Sequence, residues 1–200
     1  MKKELFATLA FTFCFLIHIH AQTGSGSTLI GGGLSSNNSQ FNADDHSKSG
    51  NLQLKIGHAF TPNILWGVQG GYLFGDKINA ANPGYSGFSV GIFNRLYKPL
   101  SHTFYLFGES ALGYSRSKNR INADNQVKYT QDAASLGFTP GLSYSVLDWA
   151  RIELMLPNIF SVNYTQNQAA NDKSEKSFAA RTSLGGEALK TLGLGFSVVF

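Results

Sequence analysis

Cysteine is almost missing from this 200-residue chain: Cys14, the single one, sits in an apolar run near the N-terminus. Beyond that run no disulfide can form and no thiol chemistry is available. Charge is scarce as well. Only 14% of residues are charged, and the net +4 is a small excess over few groups, not a basic surface built for nucleic acid. After residue 19 no stretch approaches the roughly 18 consecutive apolar residues of a helical span, and no internal repeat longer than a hairpin is apparent. Nor do His, Cys, Asp and Glu gather with metal-ligand spacing, since Asp44, Asp45 and His46 are neighbours in a polar stretch and read as solvated. No cofactor is expected.

Glycine and aromatic side chains are plentiful, at 22 residues and 13% of the chain, which suits glycine-rich strands with aromatic belts better than an ordinary soluble α/β domain. At the start, Lys2 and Lys3 precede the run from Leu5 to Ile19, and Ile19-His20-Ala21 supplies a small residue for cleavage. Residues 1–21 therefore read as a cleavable signal peptide. As an anchor helix the run would be short, and Thr8, Thr12 and His18 interrupt it. Removing it leaves 179 residues with 14 basic and 11 acidic groups. Residues 22–27 read as a short leader and 28–200 as one domain.

The last nine residues set the pattern. With period two, Leu192, Leu194, Phe196, Val198 and Phe200 share one face of a strand while Gly193, Gly195 and Ser197 leave the other nearly bare. In water such an end would invite edge pairing. As the closing strand of a barrel it can turn its bulky face to lipid.

The same alternation recurs upstream, weakly over 28–35 and clearly over 51–60, 64–75, 85–97, 103–115, 134–146 and 150–164, with Pro157 marking a bulge. From Phe178 onward the parity holds to the end, so the last segment reads as one long strand. Eight strands result. Their connections alternate between polar loops at 36–49, 76–84, 116–132 and 165–176 and tight turns at 61–63, 98–102 and 147–149. That rhythm predicts an all-β, eight-stranded antiparallel up-and-down transmembrane β-barrel. A secreted β-sandwich would share the alternation but leaves the long-short rhythm unexplained.

Outward aromatics group at two heights. Phe60, Trp66, Phe104, Tyr144, Trp149 and Phe200 lie toward the tight turns, and Phe74, Phe88, Tyr114, Tyr164 and Phe178 toward the long loops, as two membrane-interface girdles would. The inward set carries Lys55, Arg95, Glu109, Arg151, Glu153, Arg181 and Glu187. Charges inside a narrow barrel are costly unless paired, so an Arg/Glu network is expected. Phe93, Tyr97, Tyr105 and Phe107 also point inward, opposite glycines that leave them room, and an eight-stranded barrel has little more interior than side chains fill. The lumen should be plugged.

The segments Gly87-Phe88-Ser89-Val90-Gly91 to Arg95, Leu106-Phe107-Gly108-Glu109 to Gly113-Tyr114, Pro140-Gly141-Leu142-Ser143-Tyr144 and Leu194-Gly195-Phe196 resemble the small OmpX/OmpA-like outer-membrane β-barrel family. With the turn rhythm, the resemblance covers most of residues 28–200. It implies the outer membrane of a Gram-negative bacterium, both termini periplasmic, insertion by the outer-membrane assembly machinery through the strand ending at Phe200, and outer-membrane lipid as the surroundings. It supplies no catalytic residue. In that setting Arg116, Lys118, Arg120 and Lys128 form a mildly basic loop able to contact lipopolysaccharide phosphates.

Three functions fit: a monomeric structural or surface-interaction barrel acting through its external loops, a narrow channel for small or hydrophobic solutes, and a lipid-modifying enzyme. The enzyme needs a hydroxyl-histidine pair with an orienting partner at a rim. Of the histidines after the signal peptide, His46 falls in a loop and His102 in a turn. Only His58 stands on a wall that could meet an acyl chain, and a lone histidine at an interface is ordinarily just amphipathic. The first reading is preferred, without enzymatic activity.

Overall fold

The computed structural model describes residues 24–42, 45–75, 84–121, 126–156, 159–169, 174–182 and 192–200. The expected signal peptide lies outside the described residues, as does Glu187. Ten strand segments follow one another: β1 (Thr28–Asn42), β2 (Asp45–Thr61), β3 (Ile64–Gly75), β4 (Tyr85–Pro99), β5 (Phe104–Ile121), β6 (Gln126–Leu147), β7 (Ala150–Met155), β8 (Phe160–Ala169), β9 (Ser174–Thr182) and β10 (Gly193–Val199). Every pairing is antiparallel. Because β6 pairs with both β7 and β8, β7 pairs with β10, and β8 pairs with β9, the last four segments make two wall strands.

The first and last strands meet from Leu29↔Val199 to Gly32↔Phe196. Beyond that ladder, Thr28 N donates to Phe200 O at 2.5 Å and Phe200 N to Thr28 O at 2.9 Å. With β5 joined to β6 as well, the sheet closes into an eight-stranded barrel. The terminal residue is part of the seam itself.

Tight turns at 62–63, 100–103 and 148–149 link strands at one end, called here the turn end. Asn63 has φ 64°, a left-handed conformation that asparagine tolerates better than most residues, and its carbonyl accepts Tyr97 N at 2.8 Å. Residues 24–27 are held at the same end, with Gly26 N bonded to Ala59 O at 2.7 Å.

At the opposite, hairpin end, three of the stretches expected as polar loops are mostly strand. The ladders run on through Gln40↔His46, Ile121↔Gln126 and Gln168↔Ser174. Main-chain ladders need no apolar side chains once a neighbour is in register, so pairing outlasts the alternation that reveals it. The remaining loop, from residue 76 to 83, lies outside the described residues.

The last strand also departs from the expectation of a single regular ladder. Met155 pairs with Gly193 and Phe160 with Thr182, so ten residues of sequence separate these positions between β9 and β10 where four separate them between β7 and β8. Against β6 the same interval, which contains Pro157, holds two residues more than its partner, since Met155 faces Gly141 and Phe160 faces Phe138. An even offset preserves which side chains point in.

Burial is inverted relative to a soluble fold. Leu54, Val68, Ile92, Leu112, Ile152 and Leu194 are exposed on the outer wall, whereas Arg95, Glu109, Arg151 and Glu153 are among the most buried residues.

Candidate functional site

The turn-end half of the lumen is filled. Alternate residues of β4, β5 and β7 point inward and place Phe93, Arg95, Tyr97, Tyr105, Phe107, Glu109, Arg151 and Glu153 in the interior, with Leu29, Leu65, Ser197 and Val199 from the neighbouring strands. Rings fit because the facing backbone is bare. A Cβ on Gly67 would stand 2.5 Å from the Phe93 ring, and one on Gly141 2.3 Å from the Phe107 ring.

Arg95 is the hub of the charges. Its Nε and Nη2 donate to Glu109 Oε2 at 2.8 and 2.6 Å, while Nη1 donates to Glu153 Oε1 at 2.7 Å and to Tyr97 OH at 2.9 Å. Lys55 Nζ takes the other Glu109 oxygen, and Ser197 Oγ donates to Glu153 Oε1 at 2.9 Å. Aromatic faces supply the rest of the cations' surroundings: Arg95 lies 4.3 Å over the Phe107 ring, Arg151 lies 4.7 Å over Tyr105 and 5.3 Å over Tyr97, and Lys55 lies 5.5 Å over Phe93. One guanidinium on β4 that joins a carboxylate on the adjacent β5 to one on β7, three strands away, ties the walls together across the lumen.

Five of the seven inward charges read from the sequence therefore share this region: Lys55, Arg95, Glu109, Arg151 and Glu153. Arg181 does not. It pairs by register with Ser161 on β9, where every residue except Ala179 is exposed, because among the described strands β9 has only β8 beside it and nothing covers its inner side. Two members of the network were missed. Tyr97 was placed inward for its ring alone, and Ser197 lay on a face read as nearly bare; inward parity beside Arg95 and Glu153 was the available signal.

Above the plug the hairpin-end half is hollow, with a cavity of about 650 Å³. Lys55, Glu109, Thr139 and Met155 line its base, and Asn51, Gln53, Gln69, Ser89, Ala111, Gly113, Ser135, Gly137 and Asn163 its sides. The lumen expected to be plugged is thus filled over its turn-end half and hollow over the other. Inward residues on β4 and β5 are bulky near the turns and small toward the hairpins.

On the outer wall, the turn-end aromatics Phe60, Trp66, Phe104, Tyr144 and Phe200 are exposed, and Phe104 and Tyr144 pair directly with ring centroids 4.8 Å apart. Trp149 is half-buried. Phe74, Phe88, Tyr114, Tyr164 and Phe178 are exposed toward the hairpins, where Tyr164 faces Phe178. Directly beyond Tyr114, Arg116, Lys118 and Arg120 succeed one another on the exposed face of β5, so these three belong to a strand and not a loop. Arg116 Nε lies 3.5 Å from Asp132 Oδ1, and that oxygen also accepts Tyr114 OH. Lys128 is the extra residue where the register slips between Asn119↔Tyr129 and Arg120↔Val127.

His58 Nδ1 and Thr28 Oγ1 lie 3.2 Å apart near the turn-end rim, with the Phe60 ring edge-on to the imidazole at 5.1 Å. A hydroxyl-imidazole contact alone is not a triad: among the described residues no carboxylate or amide orients this ring.

Apolar side chains outside, charges inside and first and last strands joined at the turn end are the construction of a membrane-spanning β-barrel. The chain belongs to the outer membrane protein β-barrel domain family, whose model matches residues 6–200. Its fold is similar to the crystal structure of Neisserial surface protein A (NspA), at a TM-score of 0.53 and 13% identity over 88% of this chain and 98% of that one. It is also similar to the outer membrane protein OprG from Pseudomonas aeruginosa, at 0.53 and 12% over 90% and 99%. A search of curated proteins finds no match. At these identities the structural likeness concerns the fold alone.

Proposed function

We propose that this protein is a non-conducting, non-enzymatic barrel of a Gram-negative outer membrane, with both termini periplasmic, that acts through the surface its hairpins present outside the cell. The plug carries the reading. Arg95, Arg151, Phe93, Phe107, Leu29, Leu65 and Val199 are each under 2% exposed across the turn-end half of the lumen, and a solute or ion path would have to part the Arg95 ion pairs. Purified protein in planar bilayers should show no unit conductance. Stable single-channel steps would replace this reading with the narrow channel.

The outer leaflet is the first surface the hairpins meet. Arg116, Lys118 and Arg120 stand just beyond Tyr114 on one exposed face, the height at which lipopolysaccharide phosphates would lie if Tyr114 marks the interface. Phosphate contact of this kind is electrostatic and screened by salt. Lipopolysaccharide retained by the purified protein should fall when all three are changed to Gln, with folding unaltered; equal retention would remove lipopolysaccharide from the reading.

A further inference from the structure

We propose that the hollow above the plug is a binding site for a small uncharged polyhydroxylated molecule, of the class of a mono- or disaccharide. Its volume of about 650 Å³ falls within the roughly 300–1,000 Å³ of small-molecule sites. It has a closed base, which a binding site needs and a conduit does not.

The chemistry of the lining selects the ligand. Asn51 Oδ1 and Gln69 Oε1 are buried and have no hydrogen-bond partner. Both amides lie against bare backbone: Asn51 Oδ1 and Gln69 Nε2 stand 3.2 and 3.3 Å from the places a Cβ would occupy on Gly71 and Gly91. Buried amide oxygens without donors are rare and costly, and both side chains line the hollow. Across the lumen, Asn163 Nδ2 reaches Ser161 Oγ at 3.4 Å. A ligand serving both walls must carry donors and acceptors on neighbouring atoms, as a polyol does.

Charged ligands fit poorly. Both Glu109 oxygens are engaged, one by Lys55 and one by Arg95, so an incoming ammonium meets no free carboxylate at the base and an incoming anion must compete with Glu109 for Lys55. A flat apolar ligand finds no aromatic ring among the inward side chains of the hollow.

The test uses the folded full-length barrel in detergent micelles, titrated with glucose and with maltose by ligand-observed NMR and calorimetry. At least one sugar should bind saturably, and Gln69→Leu and Asn51→Leu should each weaken it about tenfold or more while gel mobility before boiling stays that of the parent. Should either variant not fold, Ala111→Phe fills the hollow without touching an amide and should abolish binding. No saturable binding of either sugar, or affinity unchanged in the folded variants, overturns the proposal. Neither outcome bears on conductance, because no substituted residue belongs to the plug.

Discussion

Replacing Arg95 by Leu asks whether the plug is held by charge pairing or merely by being full. The substitution removes one side chain but breaks two buried ion pairs, because Glu109 loses both bonds to Oε2 and keeps Lys55, and Glu153 loses its ion pair at 2.7 Å and keeps the Ser197 hydroxyl. Breaking a buried pair by deleting one partner costs about 3–5 kcal/mol, whereas exchanging the whole set for apolar groups of similar volume is often neutral or better. Arg95→Leu should therefore lose about 3–5 kcal/mol. The combined variant Lys55→Met, Arg95→Leu, Glu109→Leu, Arg151→Met, Glu153→Met, which empties the region of charge, should recover most of that loss. Urea unfolding of the refolded barrel in micelles, followed through Trp66 and Trp149, gives both free energies by linear extrapolation. If the single variant stays within about 1 kcal/mol of the parent, or the combined variant is no more stable than the single one, side-chain volume holds the lumen and the hub role of Arg95 is refuted.

Gly141→Ala should destabilise by about 1–3 kcal/mol through overpacking, since the new Cβ would meet the Phe107 ring at 2.3 Å and Leu154 O at 2.7 Å. Gly33→Ala, whose Cβ would find only Leu194 O at 3.6 Å, should unfold at the parental urea concentration and serves as its control. Deleting Phe200 removes the reciprocal bonds to Thr28 and with them the last rung of the seam; the fraction of protein running as the compact form on unboiled gels should drop, and normal amounts in the outer membrane would count against that role. Tyr114→Phe removes a hydrogen bond to Asp132 at an exposed position, where solvent replaces the lost partner, so the urea midpoint should stay at the parental value in the same denaturation measurement.

Alternation made the wall legible because a barrel buries side chains by parity alone: one inward row, one outward row, with almost no residue whose direction depends on distant packing. Lys55, Arg95, Glu109, Arg151 and Glu153 could be placed inside for that reason. Arg181 fails the same rule, since parity fixes direction and says nothing of whether an opposite wall exists at that height. The polar extensions near Gln40, Arg120 and Gln168 were hidden for a related cause. Their strand state is set by the neighbouring main chain, which leaves no hydrophobic period behind. The hollow was hidden because fullness is a sum over all strands at one level, and no single strand's pattern shows it.

That sum explains why one short barrel holds both a plug and a cavity. On β4 the inward residues grow from Ser89 and Gly91 to Phe93, Arg95 and Tyr97 as the chain nears the turn at 100–103, and on β5 they shrink from Tyr105, Phe107 and Glu109 to Ala111 and Gly113 on the way back. β6 keeps small residues at every inward position from Ser135 to Ser145, so it offers the room into which the Phe107 ring packs at Gly141. Bulk is thus concentrated where the strands are most tightly joined by turns, and the charges sit at the boundary between filled and hollow halves. There Arg95 is fully enclosed, whereas Lys55 keeps 12% of its side-chain surface exposed. A charge pair placed deeper would bear the full desolvation cost, and one placed higher would be screened by water in the hollow. The observed position gives Glu109 two cations, one fully enclosed in the plug and one largely buried at the floor of the hollow, which lets a single carboxylate close the plug and form the base of the hollow.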